Sequence, residues 1–293
     1  MRIEKNQLKN VTVNQLMAMG RDILLSYNKL DAAIDARLLA LHVLQCNTAE
    51  LIMHGNEKIA EHLKESYMYM IARRAQGTPL QYITNSQEFM GLEFYVDERV
   101  LIPRQDTETL VETIIEYSKK HVLQQAVEIG TGSGCISVAL AHYIKNLHIT
   151  SMDICENALD VARKNVQAHQ LEDYITLANS DVFKAYDGEE ESLDMIVSNP
   201  PYITFEECKG LMQEVKEYEP RKALTDGGDG LKFYREITRE GKKYLKQNGL
   251  LAYEIGYLQG KDVCAILEQE GFTQIKLIQD LAQRDRVVIG TKI

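Results

Sequence analysis

From residue 126 onward the chain alternates short apolar runs with helix-spaced segments. The first unit breaks at its carboxyl end into glycines: Ala126-Val127-Glu128-Ile129-Gly130-Thr131-Gly132-Ser133-Gly134-Cys135. Strand-length runs separated by helices restrict the chain to a mostly parallel sheet covered on both faces, because parallel neighbours need a crossover whose helix must bury its apolar stripe on the sheet. The pattern predicts strands at 126–129, 148–152, 174–178, 193–197, 250–255, 273–278 and 286–289. Helices are expected at 136–143, 158–169, 231–245 and 261–270. No helix separates the last two strands, so they form an antiparallel hairpin at one edge. Ligands of such sheets gather beyond the carboxyl ends of the strands, so the residues there carry the chemistry.

Those ends read as an ordered set. Glycines 130, 132 and 134 let the backbone approach a ligand and present N–H groups where a helix begins. A dinucleotide fingerprint would need glycine at the position of Cys135, so Gly130, Thr131, Gly132, Ser133 and Gly134 fit S-adenosylmethionine better. Asp153 closes the second strand, where a carboxylate can accept both ribose hydroxyls. The third strand leads into Ser180-Asp181, suited to an adenine edge. The fourth leads into Asn199-Pro200-Pro201-Tyr202. A planar nitrogen conjugated to a carbonyl or an aromatic ring is a poor nucleophile, so an enzyme that methylates it must hold its N–H groups and aim its face. Asn199 offers a side-chain oxygen and Pro200 an unencumbered carbonyl as a second acceptor, while Tyr202 can stack on the target plane. The tetrapeptide alone also suits a proline-stiffened turn; the loop, Asp153 and Asp181 favour a methyltransferase.

Before residue 86 the apolar positions recur at helical spacing, as in Leu16, Met17, Ile23 and Leu24, then Ile34, Leu38 and Leu41, then Ile59, Leu63, Tyr67 and Ile71. Thr12-Val13-Asn14-Gln15 reads as a capping box, and Gly77 with Pro79 as a helix stop. This is a small helical bundle whose methionines (Met17, Met19, Met53, Met68, Met70) serve mainly as core. Residues 88–96 suggest a hairpin joining the two parts, and Asp106 an N-cap for the helix bearing Leu110, Val111, Ile114 and Ile115. Arg104 faces a cofactor carboxylate, a domain interface or an ordinary ion pair. The stretch 203–230 is a long connection, read as a flap over the substrate.

Composition narrows the function. A chain of 293 residues exceeds one ordinary core. Its net charge of −10 disfavours a sequence-independent grip on nucleic acid and suits a basic protein partner. Arg73-Arg74 and Lys242-Lys243 are expected on solvated helix faces. The five cysteines, never spaced Cys-x-x-Cys, disfavour a disulfide framework and a zinc site. Cys135 is read as a small residue opening a helix rather than a nucleophile. With no apolar leader after Met1 and no apolar run of membrane-spanning length, the expected place is the cytosol.

Several segments together resemble the protein-glutamine methyltransferases that modify peptide chain release factors. They are Gly77-Thr78-Pro79-Leu80-Gln81-Tyr82-Ile83, Ile102-Pro103-Arg104 with Asp106-Thr107-Glu108, the Gly130 loop, Val197-Ser198-Asn199-Pro200-Pro201-Tyr202-Ile203, Tyr218-Glu219-Pro220 and Glu254-Ile255-Gly256. The resemblance implies a seven-stranded class I S-adenosylmethionine-dependent methyltransferase domain, Rossmann-like, behind a small N-terminal helical bundle. The expected boundaries are a substrate-recognising bundle at 1–85, a linker hairpin at 86–103 and the methyltransferase domain at 104–293. The implied reaction moves a methyl group to the side-chain amide of the glutamine in a release factor's Gly-Gly-Gln loop. Gly130 to Gly134, Asp153, Asp181 or Val182, and Asn199 would contact the cofactor, and Asn199, Pro200, Pro201 and Tyr202 would hold the glutamine. Val182 stands where some relatives carry an aromatic residue, with Phe183 beside it, and Glu128 where related enzymes often have Asp. The alternatives are a methyltransferase acting on guanine in ribosomal RNA or adenine in DNA, and a methyltransferase-like fold serving only as a binding module.

Overall fold

The structure, a computed structural model, describes residues 11–293, so the reading of the first residues as lacking an apolar leader lies outside it. The chain divides into two compact units, one ending at Asn85 and the other running from Ser86 to Ile293.

The first unit holds α1 (Val13–Ser26), α2 (Ala32–Leu44), α3 (Thr48–Met53), α4 (Glu61–Ala75) and α5 (Leu80–Thr84). Thr12 begins α1 with the expected capping box, its hydroxyl accepting from the Gln15 amide while the Gln15 side chain accepts from the Thr12 amide. Asn47 and Glu50 do the same for α3. Leu16, Leu24, Leu39, Tyr67 and Ile71 are fully buried between α1, α2 and α4, each stabilising the unit by about 1.5–3 kcal/mol. Met17, Met19, Met68 and Met70 pack on this core, whereas Met53 is exposed. Arg74 departs from the solvated face expected of it: its Nε donates to the buried Asp35 carboxylate at 2.6 Å, joining α4 to α2. A buried cation needs such a partner, and only the packed bundle brings one within reach.

The second unit opens with β1 (Gln87–Phe89) and β2 (Leu92–Phe94), an antiparallel pair. This hairpin is no free linker, because Phe89 and Phe94 are buried in the core of the second unit. There follow α6 (Gln105–Ser118), β3 (Gln125–Ile129), α7 (Cys135–Tyr143), β4 (His148–Asp153), α8 (Glu156–Ala168), β5 (Ile175–Asn179) and β6 (Leu193–Ser198). Then come α9 (Gln213–Tyr218), α10 (Arg221–Leu224), α11 (Lys232–Gly241), β7 (Leu245–Glu254), α12 (Gly260–Gln269), β8 (Phe272–Gln279) and β9 (Asp285–Lys292). Seven strands form one sheet in the order β5-β4-β3-β6-β7-β9-β8. The first five are parallel, and β9 runs antiparallel between β7 and β8, which is the expected closing hairpin. Separate apolar cores include Val138, Leu140 and Val197 in one and Ile196, Ile237 and Tyr253 in the other, so neighbours along β6 point to opposite faces.

Two local expectations change. α11 ends at Gly241 rather than near 245, because Leu245 already pairs with Leu193 at the start of a longer β7. Asp106 is not the N-cap of α6; Arg104 holds that position, and Asp106 lies in the first turn, where its Oδ2 meets Arg286 at 3.0 Å. A carboxylate there still complements the helix dipole.

Candidate active site

Strand order reverses between β3 and β6, and the register decides what meets there. Ile129 pairs with Ser198 and Ser198 with Tyr253, so Gly130, Asn199 and Glu254 are the next residues of three neighbouring strands. A Cβ added to Gly130 would lie 3.8 Å from the Asn199 carbonyl oxygen. Ser198 locks this edge by donating from its buried Oγ to the Ile129 carbonyl at 2.7 Å. Residues remote in sequence are thereby joined at the crevice where open α/β sheets bind ligands.

Most amides of the glycine loop hold the loop itself, in contrast to the expectation that they face a ligand. The Gly130 and Thr131 amides donate to the Met152 carbonyl, the Gly134 amide to the Thr131 carbonyl, and the Gly132 amide to Asp153 Oδ2 at 2.9 Å. The glycines instead shape the loop. Gly132 has φ +53° and a Cβ there would meet nothing within 4 Å, so the backbone itself lines open space at the sheet edge. Beneath it Glu128 is fully buried, with Oε2 accepting from the hydroxyls of Ser137 on α7 and Ser151 on β4. Thr131 joins this group through Ser151 at 2.8 Å. Burial pushes the Glu128 carboxyl up to about 7, against the pull of the two serines. Its Oε1 has no hydrogen-bond partner among the described residues.

The Asn199 side chain has its Nδ2 3.2 Å from Thr107 Oγ1 on α6, which leaves Oδ1 as its free acceptor. Among the described residues nothing donates to the Pro200 carbonyl. Tyr202 is fixed at both ends: its hydroxyl donates to Glu254 Oε1 at 3.2 Å, and its carbonyl accepts from Gln259 Nε2 at 3.0 Å. Glu254 is pushed up to about 7 by burial, while the nearby Thr107 hydroxyl, Arg286 and the Tyr202 hydroxyl favour its charge. Among the described residues its Oε2 has no hydrogen-bond partner. Burial also raises the Tyr202 phenol, so Tyr202 keeps its proton.

Asp153 stands at the end of β4, with Oδ2 held by Gly132 and Oδ1 by the Cys155 amide at 2.8 Å. Each carboxylate oxygen retains a second lone pair for a ligand. Asp181 is half exposed and paired with Lys184. Val182 is buried with φ +52°, a strained backbone for a β-branched residue, and its carbonyl accepts from Ser180 Oγ at 2.8 Å. Phe183 is packed in the core, its ring 5.2 Å from that of Tyr244 and 5.9 Å from that of Tyr186. Cys135 is buried and its thiol pushed up to about 12, which leaves it inert.

Arg104 is settled by the connection after β6. Its guanidinium pairs with Glu219, whose side chain is buried and whose carboxyl is raised by burial against the pull of Arg104. This ties Ile102-Pro103-Arg104 to Tyr218-Glu219-Pro220 across 115 residues. The connection is built rather than loose: Ile203 donates to the Leu224 carbonyl, and Asp226 accepts from the amides of Gly228, Gly230 and Lys232. Thr107, Gln259 and Arg286 escaped sequence reasoning as individual site residues. Thr107 carried only the signal of its motif, and nothing local marks the other two.

The sheet order with its antiparallel closing hairpin, and the glycine loop and Asn-Pro-Pro-Tyr at the switch point, define a class I S-adenosylmethionine-dependent methyltransferase. Residues 15–84 match the PrmC N-terminal domain model and residues 105–232 the Methyltransferase small domain model. The chain is 42% identical to the release factor glutamine methyltransferase of Clostridium acetobutylicum, over 88% of this chain and 90% of that one. It is also 42% identical to the enzyme of that name from Fusobacterium nucleatum, over 88% and 73%. It belongs to the release factor glutamine methyltransferase family. Among solved structures a Pyrococcus furiosus methyltransferase shares the fold, with TM-score 0.50 and 19% identity over 75% of this chain and 96% of that one. Among the described residues no helix is long and apolar enough to cross a membrane, and no group of acidic, His or Cys side chains is set to hold a metal.

Proposed function

We propose that the chain transfers a methyl group from S-adenosylmethionine to the side-chain amide nitrogen of the glutamine in the Gly-Gly-Gln loop of peptide chain release factors. The observation that carries this reading is Asn199: its amide nitrogen is engaged by Thr107, so its oxygen is offered beside the Gly130 loop. A primary amide has two N–H groups and a delocalised lone pair. Asn199 Oδ1 and the Pro200 carbonyl accept those N–H groups and turn the face of the nitrogen outward. Pro201 stiffens the turn, and Tyr202 supports the glutamine plane. Holding two reactants in line supplies roughly 7–11 kcal/mol of a barrier, and the nitrogen, made acidic as its new bond forms, loses its proton late. No strong general base is needed.

When bound, S-adenosylmethionine supplies an electrophilic methyl group on a sulfonium. The residues we assign to holding it are Gly130, Thr131, Gly132, Ser133 and Gly134, with Asp153 for the ribose, Asp181 and Val182 near adenine, and Asn199 at the methyl end. Open space above Gly132 and the spare lone pairs of Asp153 suit that ligand. The helical unit is assigned to recognising the release factor, and the net charge of −10 suits a basic partner over a nucleic acid. A cytosolic location follows from the substrate.

The test is mass spectrometry of an unmodified, full-length release factor incubated with enzyme and S-adenosylmethionine. One added CH2 on the Gly-Gly-Gln glutamine is expected, and label entering ribosomal RNA instead would overturn the substrate. N199A is expected to lose turnover on the order of 10²–10³-fold, as for removal of one oriented polar contact, with cofactor affinity little changed. Wild-type single-turnover rates in N199A would remove Asn199 from the site.

A further inference from the structure

We infer that Glu254 and Thr107 are positioning residues that decide which atom of the Asn199 side chain meets the substrate amide. This rests on the reading of Asn199 as the acceptor. A carboxamide has nearly the same shape in both orientations, and presenting NH2 in place of oxygen would set donor against donor at the target nitrogen. A holder must therefore tell oxygen from nitrogen. Thr107 by itself cannot, since a hydroxyl both donates and accepts.

Glu254 removes the ambiguity. A carboxylate only accepts, and this one is fully buried at the end of β7, with Oε1 taking the Tyr202 hydroxyl and Oε2 without a hydrogen-bond partner among the described residues. The Thr107 hydroxyl lies beside it and favours its charge. An unmet buried acceptor is costly, so the single Thr107 proton points to Glu254. Thr107 Oγ1 can then only accept from Asn199, 3.2 Å away, which must turn Nδ2 inward and Oδ1 outward. The same carboxylate holds Tyr202, so one buried group orders both walls of the acceptor pocket. Arg286 on β9 favours the charged carboxylate against the pull of burial, and is itself paired with Asp106 at 3.0 Å and Asp280 at 3.3 Å.

Glutamine at 254 would offer one acceptor where two are required. Its NH2 could push the Thr107 proton toward Asn199 and so invert the chain of donors. The test compares T107V, T107S, E254Q and N199A in single turnover at saturating substrate, with cofactor affinity by calorimetry and melting temperature alongside. T107V keeps the side-chain volume and deletes the hydroxyl. It is expected to lose rate on the order of 10²-fold, the scale of a misplaced reacting group, with cofactor affinity and melting temperature held. T107S is expected to restore most of that rate, and E254Q to fall with T107V. A role in stability alone would move the melting temperature and not the rate. Wild-type rates in T107V, or T107S as slow as T107V, would overturn the inference while a slow N199A leaves the acceptor reading standing. A fast N199A would remove both.

Discussion

Replacing Glu128 with glutamine isolates the electrostatic cost of placing a carboxylate beneath the glycine loop. The folded protein pushes this group from 4.5 up to about 7, because burial outweighs the two serine hydroxyls. At ~1.4 kcal/mol per unit, the displacement is worth about 3 kcal/mol. A carboxyl raised on folding keeps its proton to higher pH in the folded chain than in the unfolded one. Stability therefore falls as pH rises from about 4.5 to about 7, and the whole loss is present at pH 8. E128Q has no such ionisation. Its NH2, standing where Oε1 lacks a partner, adds only a constant offset. The stability of E128Q minus that of wild type should thus grow by about 3 kcal/mol between about pH 4.5 and 8. Urea unfolding across that range measures it, followed by circular dichroism because the chain has no tryptophan. A difference that stays flat with pH would refute the argument, whatever its absolute size.

Three further outcomes are expected. Glu254 is also pushed up to about 7, so kcat at saturating substrate should fall as pH drops through that value, since a protonated Glu254 can donate to Thr107 in place of accepting. Tyr202, Arg286, Asp106 and Tyr234 surround that carboxyl, and an activity flat from pH 6 to 8 would contradict its role. G230A would place a Cβ 2.2 Å from the Tyr202 carbonyl oxygen on a backbone with φ +75°, so it should displace Tyr202 and cut turnover more than cofactor affinity, as kinetics with calorimetry would show. R74A strands Asp35 in the helical core and should cost about 3–5 kcal/mol in urea unfolding, with D35A/R74A recovering part of it.

How much of the site was legible depends on how far apart the interacting residues lie along the chain. The Gly130 loop, Asp153 and Asn199-Pro200-Pro201-Tyr202 each sit at the end of an apolar run, so their position on the sheet edge follows from local pattern. Thr107 is 92 residues from Asn199 and Tyr202 is 52 from Glu254, so no window of sequence contains either pair. Arg104 had three readings until Glu219 came into reach. The misassigned cap at Asp106 has the same origin: its chemistry suited a cap, but the partner that holds it is Arg286, on the last strand.

The sequence by itself determined the elements of this protein, the helical character of the first unit, the alternating build of the second and the loops that carry chemistry. These depend on periodicity, glycine and proline geometry and capping side chains, which act within a few residues. Only the tertiary structure decided the strand register that sets Gly130, Asn199 and Glu254 side by side, and which buried carboxylates lack a full set of partners. Burial and hydrogen-bond satisfaction belong to the packed whole, because a charge is desolvated and a donor is directed only by groups that folding brings from elsewhere in the chain.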